Sequence, residues 1–150
     1  MNKVKTINIA LIGYGFVGKT FHAPLIQSVD GLKLAVVSSR DEEKVKRDLP
    51  DVLVVATPEE AILHPDIDLV VIASPNATHA PLATMALNAG KHVVVDKPFT
   101  LDMQEARDLI ALAQEKQRLL SVFHNRRWDS DFLGIKQVIE QGSIGKVKHF

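Results

Sequence analysis

The chain has 150 residues, 46% of them hydrophobic, and its 18 Lys and Arg balance 18 Asp and Glu. This length favours one domain with a sizeable core, together with a fragment of a second. The zero net charge argues against nucleic acid as a partner. The absence of cysteine excludes disulfides and thiol chemistry, and it agrees with a cytoplasmic location.

The N-terminal segment MNKVKTINIALIG places two lysines before an apolar stretch, as a secretory signal does. Asn8 interrupts this stretch and Gly13 ends it, so it is too short for a signal peptide. No window reaches the about 20 apolar residues that a membrane-spanning helix requires. We therefore expect a soluble protein that does not enter a membrane.

Runs rich in Val and Ile recur along the chain at fairly even spacing. They are INIALI (7–12), LKLAVVS (32–38), VLVVA (52–56), DLVVIAS (68–74), HVVVD (92–96) and LLSVF (119–123). The runs are continuous rather than alternating, which is typical of parallel strands covered on both faces. Each run is therefore predicted to be a strand of one parallel sheet.

Helical segments with recognisable ends lie between these runs. Thr57, Pro58 and Glu60 have the pattern of a capping box with proline at the first helical position. THAPLATMALNAG ends at Gly90, where a helix C-terminal cap belongs. DMQEARDLIALAQEKQ places four apolar residues on one face, namely Ala106, Leu109, Ile110 and Ala113.

This alternation of strands and helices predicts an α/β fold with a doubly wound parallel sheet, the Rossmann architecture. In such a sheet the ligand crevice lies beyond the carboxyl ends of the strands. After the sixth run the pattern changes: DSDFLGIKQVIEQG reads as a helix closed by Gly142, and KVKHF reads as the start of a strand. Residues 125–150 are thus expected to begin a second domain whose remainder is absent.

The segment IALIGYGFVGKTFHAP carries glycines spaced as G-x-G-x-x-G between the first strand and the first helix. Gly13 permits a tight turn, Gly15 lets a pyrophosphate approach the backbone, and Gly18 lets the helix pack closely on the sheet. The helix start adds unpaired N–H groups and a positive dipole end. This context favours a dinucleotide site over an ordinary glycine turn.

The second strand ends in VVSSR, where an NAD site usually has Asp or Glu. Ser38, Ser39 and Arg40 instead offer hydroxyls and a guanidinium, which suit the 2′-phosphate of NADP. In the alternative interpretation Arg40 is a solvated loop charge, and Asp41 caps the next helix or itself binds the ribose. The pattern favours NADP as the cofactor, with NAD as the alternative.

Two further strand ends, SPNATH (74–79) and DKPFT (96–100), should face the same crevice. The chain has six histidines, but no H-x-x-x-H pair or nearby carboxylate set has the spacing of metal ligands: His22, His64, His79, His92, His124 and His149. We therefore expect no metal site.

The glycine turn, SPNATH, VVVDKPF and SVFHNRRWDSDF together resemble the Gfo/Idh/MocA family of oxidoreductases over essentially the whole chain. GKTFHAPL, VVVDKPF and SVFHNRRWDSDF in particular resemble the subgroup that contains NADP-dependent scyllo-inositol dehydrogenase. The resemblance implies a Rossmann domain over residues 1–124. It also implies an α/β domain beginning at 125–150, with a large open sheet that supplies substrate contacts and often an oligomer interface.

The resemblance makes Lys97 the active-site lysine, although Asp96 stands where the family usually has Glu. A lysine near the nicotinamide ring can hold an alcohol and favour its deprotonation as hydride leaves, or polarise the carbonyl in reverse. The alternative for Lys97 is an exposed loop cation. A cis Lys97–Pro98 bond would be one way to aim its side chain.

The same resemblance assigns the other crevice residues, with alternatives for two of them. His79 either belongs to the cofactor site or makes hydrogen bonds at a helix start. Arg126 or Arg127 either approaches the nicotinamide end or pairs with a nearby Asp. The assigned cofactor-binding residues are Gly13, Tyr14, Gly15, Phe16, Val17, Gly18, Ser38, Ser39, Arg40, Ser74, Pro75, Asn76, His79, Asp96, Lys97, Pro98 and Arg126.

The expected function is transfer of hydride between NADP(H) and a polyol, sugar or inositol-like alcohol or ketone. The resemblance implies a homo-oligomer at full length, and little turnover from this chain alone, because substrate ligands of the second domain are missing. Two other functions compete with this one: a dinucleotide sensor without catalysis, and an interaction protein that pairs through the KVKHF edge. Lys97 argues against the sensor, and the glycine turn argues against the interaction protein as its main role.

Overall fold

The computed structural model describes residues 6–148 and contains one sheet of six strands. The strands are β1 (Ile7–Ile12), β2 (Leu32–Ser38), β3 (Leu53–Val55), β4 (Leu69–Ile72), β5 (His92–Asp96) and β6 (Leu120–Phe123). Each lies within a predicted Val- and Ile-rich run. The bounds of β1, β2 and β5 are those predicted.

All neighbouring strands are parallel, and their order across the sheet is β3-β2-β1-β4-β5-β6. The chain therefore builds outward from β1 to one edge and then returns to build from β4 to the other. This is the doubly wound Rossmann order, so the predicted fold is confirmed. The reversal puts the topological switch point between β1 and β4.

Within residues 6–148, six α-helices and three short helical turns of other types connect or follow the strands. The helices are α1 (Ala23–Gln27), α2 (Glu42–Asp48), α3 (Pro58–Ile62), α4 (His79–Asn88), α5 (Met103–Glu115) and α6 (Ser130–Glu140). A π-helical turn covers Gly18–His22, and 3₁₀ turns cover Asn76–Thr78 and Asn125–Trp128.

The helix ends follow the predicted chemistry with one change of partner. Thr57 accepts a hydrogen bond from the N–H of Glu60 at 3.3 Å, and Pro58 is the first residue of α3. The Glu60 carboxylate, however, accepts from the N–H of Ala56 at 3.1 Å, one residue before the cap. Gly90 follows α4 with a φ of 74°, as expected of a glycine at a helix C-terminus.

The sheet separates two apolar cores, because successive side chains of a strand point to opposite faces. Ala10 and Ile12 of β1 pack with α3, α4 and α5, whereas Ile9 and Leu11 pack with α1 and α2. On the predicted apolar face of α5, Leu109 and Ala113 are buried, but Ile110 is 48% exposed. Ile110 instead borders an apolar groove of about 560 Å³ beside β6.

The C-terminal residues pack little against this sheet. Helix α6 has no buried residue, and its apolar side chains Phe132, Leu133 and Ile135 are exposed. Residues 146–148 of KVKHF form no strand, and His149 and Phe150 lie outside the described residues. The division into domains at residues 124 and 125 stays a prediction.

Within the described range no helix combines the length and apolarity needed to cross a bilayer.

One polar cluster joins α2 to the glycine turn that follows β1. The Lys19 ammonium lies 2.7 Å from the Asp48 carboxylate, and the Tyr14 hydroxyl donates to the same carboxylate at 3.2 Å. Burial and then the nearby Asp48 raise the pKa of Tyr14 to about 12, so its hydroxyl stays protonated and keeps donating. The cluster therefore holds α2 against the glycine turn that follows β1.

This cluster predicts how acid affects stability. The hydrogen bond from Lys19 is the main reason why the pKa of Asp48 lies below its usual range. When folding lowers the pKa of a carboxyl, its charged form stabilises the folded state. This stabilisation is fully present above the pKa of the unfolded state, and it is lost as pH falls through the pKa of the folded state. We expect the free energy of unfolding to fall less steeply below about pH 4 in Asp48→Asn than in the parent. Urea unfolding across the acid range measures this slope.

The matched control is Asp51→Asn, which removes an exposed carboxyl from the loop after α2. This control should keep the parent slope. An acid dependence of Asp48→Asn identical to that of the parent would contradict the stabilising role of the cluster.

Candidate functional site

A cavity of about 700 Å³ lies where the carboxyl ends of β1, β2 and β4 meet. It therefore spans the topological switch point, where ligands of doubly wound sheets bind. Three segments that sequence analysis singled out line it: the glycine turn, the SSR loop and the start of SPNATH. Their lining residues are Gly13, Tyr14, Gly15, Phe16, Val17, Ser38, Ser39, Arg40, Ser74 and Pro75.

Two glycines of the turn are required by close backbone contacts. Gly13 has a φ of 96°, and a Cβ at this position would lie 2.7 Å from the carbonyl oxygen of Ala73. A Cβ at Gly18 would overlap the carbonyl oxygen of Gly13. Any side chain at either position would push β1, β4 and the following helical turn apart. Gly18 does not line the cavity, and its role is to let these segments approach.

Gly15 differs, because the protein itself leaves its side-chain space empty. A Cβ built there meets no atom within 4 Å, and the backbone does not require glycine. Its carbonyl accepts a hydrogen bond from the N–H of Lys19 at 3.0 Å as the helical segment begins. The neighbouring N–H groups at this helix start are suited to an anion. The space beside Gly15 is therefore available to a ligand.

The SSR loop brings hydroxyls and a cation to the end of β2. Ser38 is buried, and its carbonyl accepts from the N–H of Gly13 at 3.0 Å. The Ser39 hydroxyl bonds the backbone of Asp41, and the Asp41 carboxylate accepts from the N–H of Lys44 at 2.9 Å as the cap of α2. Of the alternatives for Asp41, the structure shows the helix cap. Arg40 is exposed and makes no hydrogen bond or ion pair with residues 6–148.

Lys44 also lines the cavity, and sequence analysis missed it. It lies in the first turn of α2, four residues after Arg40, so the loop and the helix start bring the two cations to the same cavity. The spacing of the two basic residues was a usable signal. Ala56 and Pro58, after β3, complete this end of the cavity.

The ends of β4 and β5 lie side by side, but only the first belongs to the cavity wall. Ser74 and Pro75 line the cavity; Asn76, Lys97 and Pro98 are exposed at the same edge of the sheet. The Lys97–Pro98 peptide bond is cis. The Asp96 carboxylate is buried and accepts a hydrogen bond from the N–H of Lys97 at 2.8 Å. Asp96 therefore shapes the loop on which Lys97 stands.

Two buried histidines lie behind this edge. His79 is 1% exposed, and its ring nitrogens face the carbonyl oxygens of Pro98 and Ser74, so it does not line the cavity. This placement favours the helix-start alternative over contact with a cofactor. His22 packs against Phe123 with ring centroids 4.3 Å apart and the rings tilted by 47°, and burial lowers the pKa of His22 while Asp96 opposes that shift.

Arg126 does not join the cavity. Its side chain is 87% exposed and pairs with Asp129 at 2.8 Å, which is the pairing alternative considered for the NRRW segment. Arg127 and Trp128 line a separate cavity of about 370 Å³ at the end of β6. Across residues 6–148, no group of three or more His, Asp or Glu side chains is arranged to hold a metal ion.

Comparison with known proteins finds relatives of similar sequence. The chain is 58% identical to the uncharacterized oxidoreductase YdgJ of Escherichia coli, and the match covers 96% of the chain and 42% of YdgJ. It is 42% identical to the scyllo-inositol 2-dehydrogenase (NADP(+)) IolW of Bacillus subtilis, over 99% of the chain and 41% of IolW. The chain thus spans about two fifths of the length of these relatives.

Solved structures show the same architecture. A Klebsiella pneumoniae protein of known crystal structure matches 97% of the chain and 42% of its own length, with 85% identity and a TM-score of 0.94. The apo scyllo-inositol dehydrogenase of Lactobacillus casei matches 96% of the chain and 44% of its own length, with 30% identity and a TM-score of 0.84.

The family comparison covers the sheet and its crevice. Residues 7–124 match the model of the Gfo/Idh/MocA oxidoreductase family, described as an oxidoreductase family with an NAD-binding Rossmann fold. The cavity at the switch point and the glycine turn are the features such a fold uses for a dinucleotide. The chain therefore belongs to the Gfo/Idh/MocA oxidoreductase family and carries its NAD-binding Rossmann fold.

Proposed function

We propose that this chain is the cofactor-binding part of an NADP-dependent dehydrogenase that interconverts a polyol, sugar or inositol-like alcohol and its ketone. The observation that carries the proposal is the order in which charged and polar side chains lie along one edge of the sheet. Cations and hydroxyls stand at the end of β2, and a lysine stands at the end of β5. Three strand spacings separate β2 from β5, about 14 Å, which suits an extended two-nucleotide cofactor.

The residues of the glycine turn fit the pyrophosphate of such a cofactor. Gly15 leaves open space where a side chain would otherwise stand, next to the N–H groups of the helix start. An anion there is stabilised by those N–H groups and by the helix dipole. The protein does not need glycine at this position for its own packing, so binding of a ligand is the reason that fits.

The SSR loop supports NADP rather than NAD. Arg40 and Lys44 both face the cavity, and Arg40 has no partner within residues 6–148 that would neutralise it. The Asp41 carboxylate, which could oppose a 2′-phosphate, is turned to the N–H of Lys44 as a helix cap. The relative IolW is named as an NADP(+) enzyme, which agrees with this choice.

Lys97 is the residue to which we assign proton transfer. A bound nicotinamide cofactor supplies or accepts the hydride. In the oxidation direction the Lys97 amine would accept the hydroxyl proton as the alcohol becomes a ketone, and in the reverse direction the Lys97 ammonium would polarise the carbonyl and return that proton to its oxygen. Asp96 fixes the backbone N–H of Lys97, so the lysine stands on a defined loop. Further substrate groups come, in this proposal, from the part of the relatives' length that this chain does not span.

Substitution at Gly15 tests the dinucleotide site. We expect Gly15→Ala to weaken NADPH binding by at least about tenfold, because the new methyl group occupies the space beside the pyrophosphate. Thermal unfolding should stay close to that of the parent, since no protein atom lies near the new Cβ. Titration by the fluorescence of NADPH measures the affinity.

Gly134→Ala is the matched control, because its Cβ also meets no atom within 4 Å but lies on α6, away from the cavity. It should bind NADPH as the parent does. Equal affinity of Gly15→Ala and the parent would sink the assignment of the pyrophosphate to this turn.

Substitution at Arg40 tests the choice of cofactor. A charge-assisted hydrogen bond contributes about 1.5–3 kcal/mol, so Arg40→Ala should weaken NADPH binding by about 10- to 150-fold and leave NADH binding unchanged. Lys44→Ala should act in the same direction. Fluorescence titration of both reduced cofactors gives the two affinities.

Arg107→Ala on α5 removes the same charge from an exposed position outside the cavity, and it should change neither affinity. If the parent binds NADH as tightly as NADPH, or if Arg40→Ala weakens both alike, the NADP assignment is wrong.

Substitution at Lys97 tests the catalytic role, in a protein that carries this chain at the full length of its relatives. We expect Lys97→Ala to lower kcat by about 100- to 10,000-fold, because the acid–base group is lost, while NADPH affinity stays nearly constant. Assays of a polyol and sugar panel with NADP measure kcat. Lys33→Ala, at the far end of β2, should be as active as the parent. Retention of more than about half the activity by Lys97→Ala would make the lysine a loop cation.

A further inference from the structure

His79 connects two loops that the sheet itself does not join. The hydrogen-bonded register of β4 and β5 ends at the pair Ile72 and Val95. Beyond that pair, Nε2 of His79 lies 3.0 Å from the carbonyl oxygen of Ser74, and Nδ1 lies 2.8 Å from the carbonyl oxygen of Pro98. The ring thus spans the gap between the two strand ends.

Each ring nitrogen of His79 lies within hydrogen-bond distance of a carbonyl oxygen. Carbonyl oxygens only accept hydrogen bonds, so each contact forms when the ring nitrogen carries a proton. A neutral ring donates to one carbonyl at a time, and the imidazolium donates to both. The ring is 1% exposed, and losing a buried hydrogen-bond partner is costly. His79 therefore has no nitrogen to offer a cofactor or substrate.

The two loops that His79 joins carry the two halves of the site. Ser74 lines the cavity, and Pro98 directly follows Lys97. The Ser74 side is also held locally, since the Thr78 hydroxyl donates to the carbonyl of Pro75 at 2.6 Å. The Pro98 carbonyl has no other hydrogen bond within residues 6–148. On the side of Lys97, the Asp96 carboxylate holds the N–H of Lys97 and His79 holds the carbonyl of Pro98, so His79 fixes the part of this loop that follows the lysine.

We propose that His79 is a positioning residue, which holds the Lys97 loop at the cavity through its bond to Pro98. The catalytic consequence rests on the proposed function of Lys97, whereas the tether itself does not. Loss of the bond should displace the lysine and slow the reaction without removing any group that contacts substrate. A misplacement of about 1 Å is enough to lower a rate about 100-fold.

Three substitutions separate the two bonds. His79→Asn keeps an amide donor near the position of Nδ1, facing Pro98, and His79→Gln keeps one near the position of Nε2, facing Ser74. His79→Leu keeps neither. The matched control is His92→Leu at the opposite end of β5, where the ring also bonds the backbone, accepting from the N–H of Leu119 at 2.9 Å.

The first measurement needs no activity and uses the chain of 150 residues. Backbone amide NMR signals of Lys97 and Phe99 should shift most in His79→Leu, less in His79→Gln and least in His79→Asn. Signals of β2 should stay in place in all three and report that each variant is folded. Unchanged Lys97 and Phe99 signals in His79→Leu, or larger shifts in His79→Asn than in His79→Gln, would overturn the tether. His92→Leu should leave these two signals unmoved.

The second measurement uses kcat and NADPH affinity in a protein of the relatives' full length. We expect His79→Leu to lower kcat by about 10- to 100-fold with less than about threefold change in NADPH affinity, and His79→Asn to recover more kcat than His79→Gln. A kcat of His79→Leu within about twofold of the parent would overturn the catalytic consequence. If the parent turns over no alcohol, the proposed function fails, and the NMR signals alone decide the tether.

Discussion

The site depends on two backbone contacts that tolerate no side chain. Gly13 lies against the carbonyl of Ala73, and Gly18 lies against the carbonyl of Gly13, so β1, β4 and the first helical turn meet at one point. Because this point is the topological switch of the sheet, a cavity opens where the chain leaves β1 in one direction and β4 in the other. Larger residues would separate these elements and remove the cavity together with the packing.

Because the strands are parallel, the side chains that follow them lie along one edge of the sheet in a fixed order. Every strand ends at the same edge, so the loops after β2, β1, β4 and β5 stand in line. Arg40 and Lys44 are at one end, the open space beside Gly15 is next, and Lys97 is on the far side of β4. A ligand that reaches from Arg40 to Lys97 must be extended and must carry negative charge near its first end.

Several polar side chains at and behind the edge hold the loops through bonds to the protein itself. The ladder between strands ends before these loops begin, so other bonds must fix them. Asp41 caps α2, Asp48 joins α2 to Lys19 and Tyr14, and His79 reaches two carbonyls across the gap between β4 and β5. Each of these groups is engaged with the protein, whereas Arg40 and Lys97 are exposed at the same edge.

The sequence by itself determined the features that depend on neighbours in the chain. Continuous apolar runs predicted the six strands, and capping residues and glycines predicted the helix ends, because both follow from local backbone preference. Tertiary structure decided the rest: Lys44 faces the cavity, Ile110 borders a groove, Arg126 turns to Asp129, and both nitrogens of His79 are used. These outcomes depend on the distance between segments far apart in sequence, such as the 19 residues from His79 to Pro98. Such distances are set by how helices and loops pack on the sheet, and no local pattern encodes them.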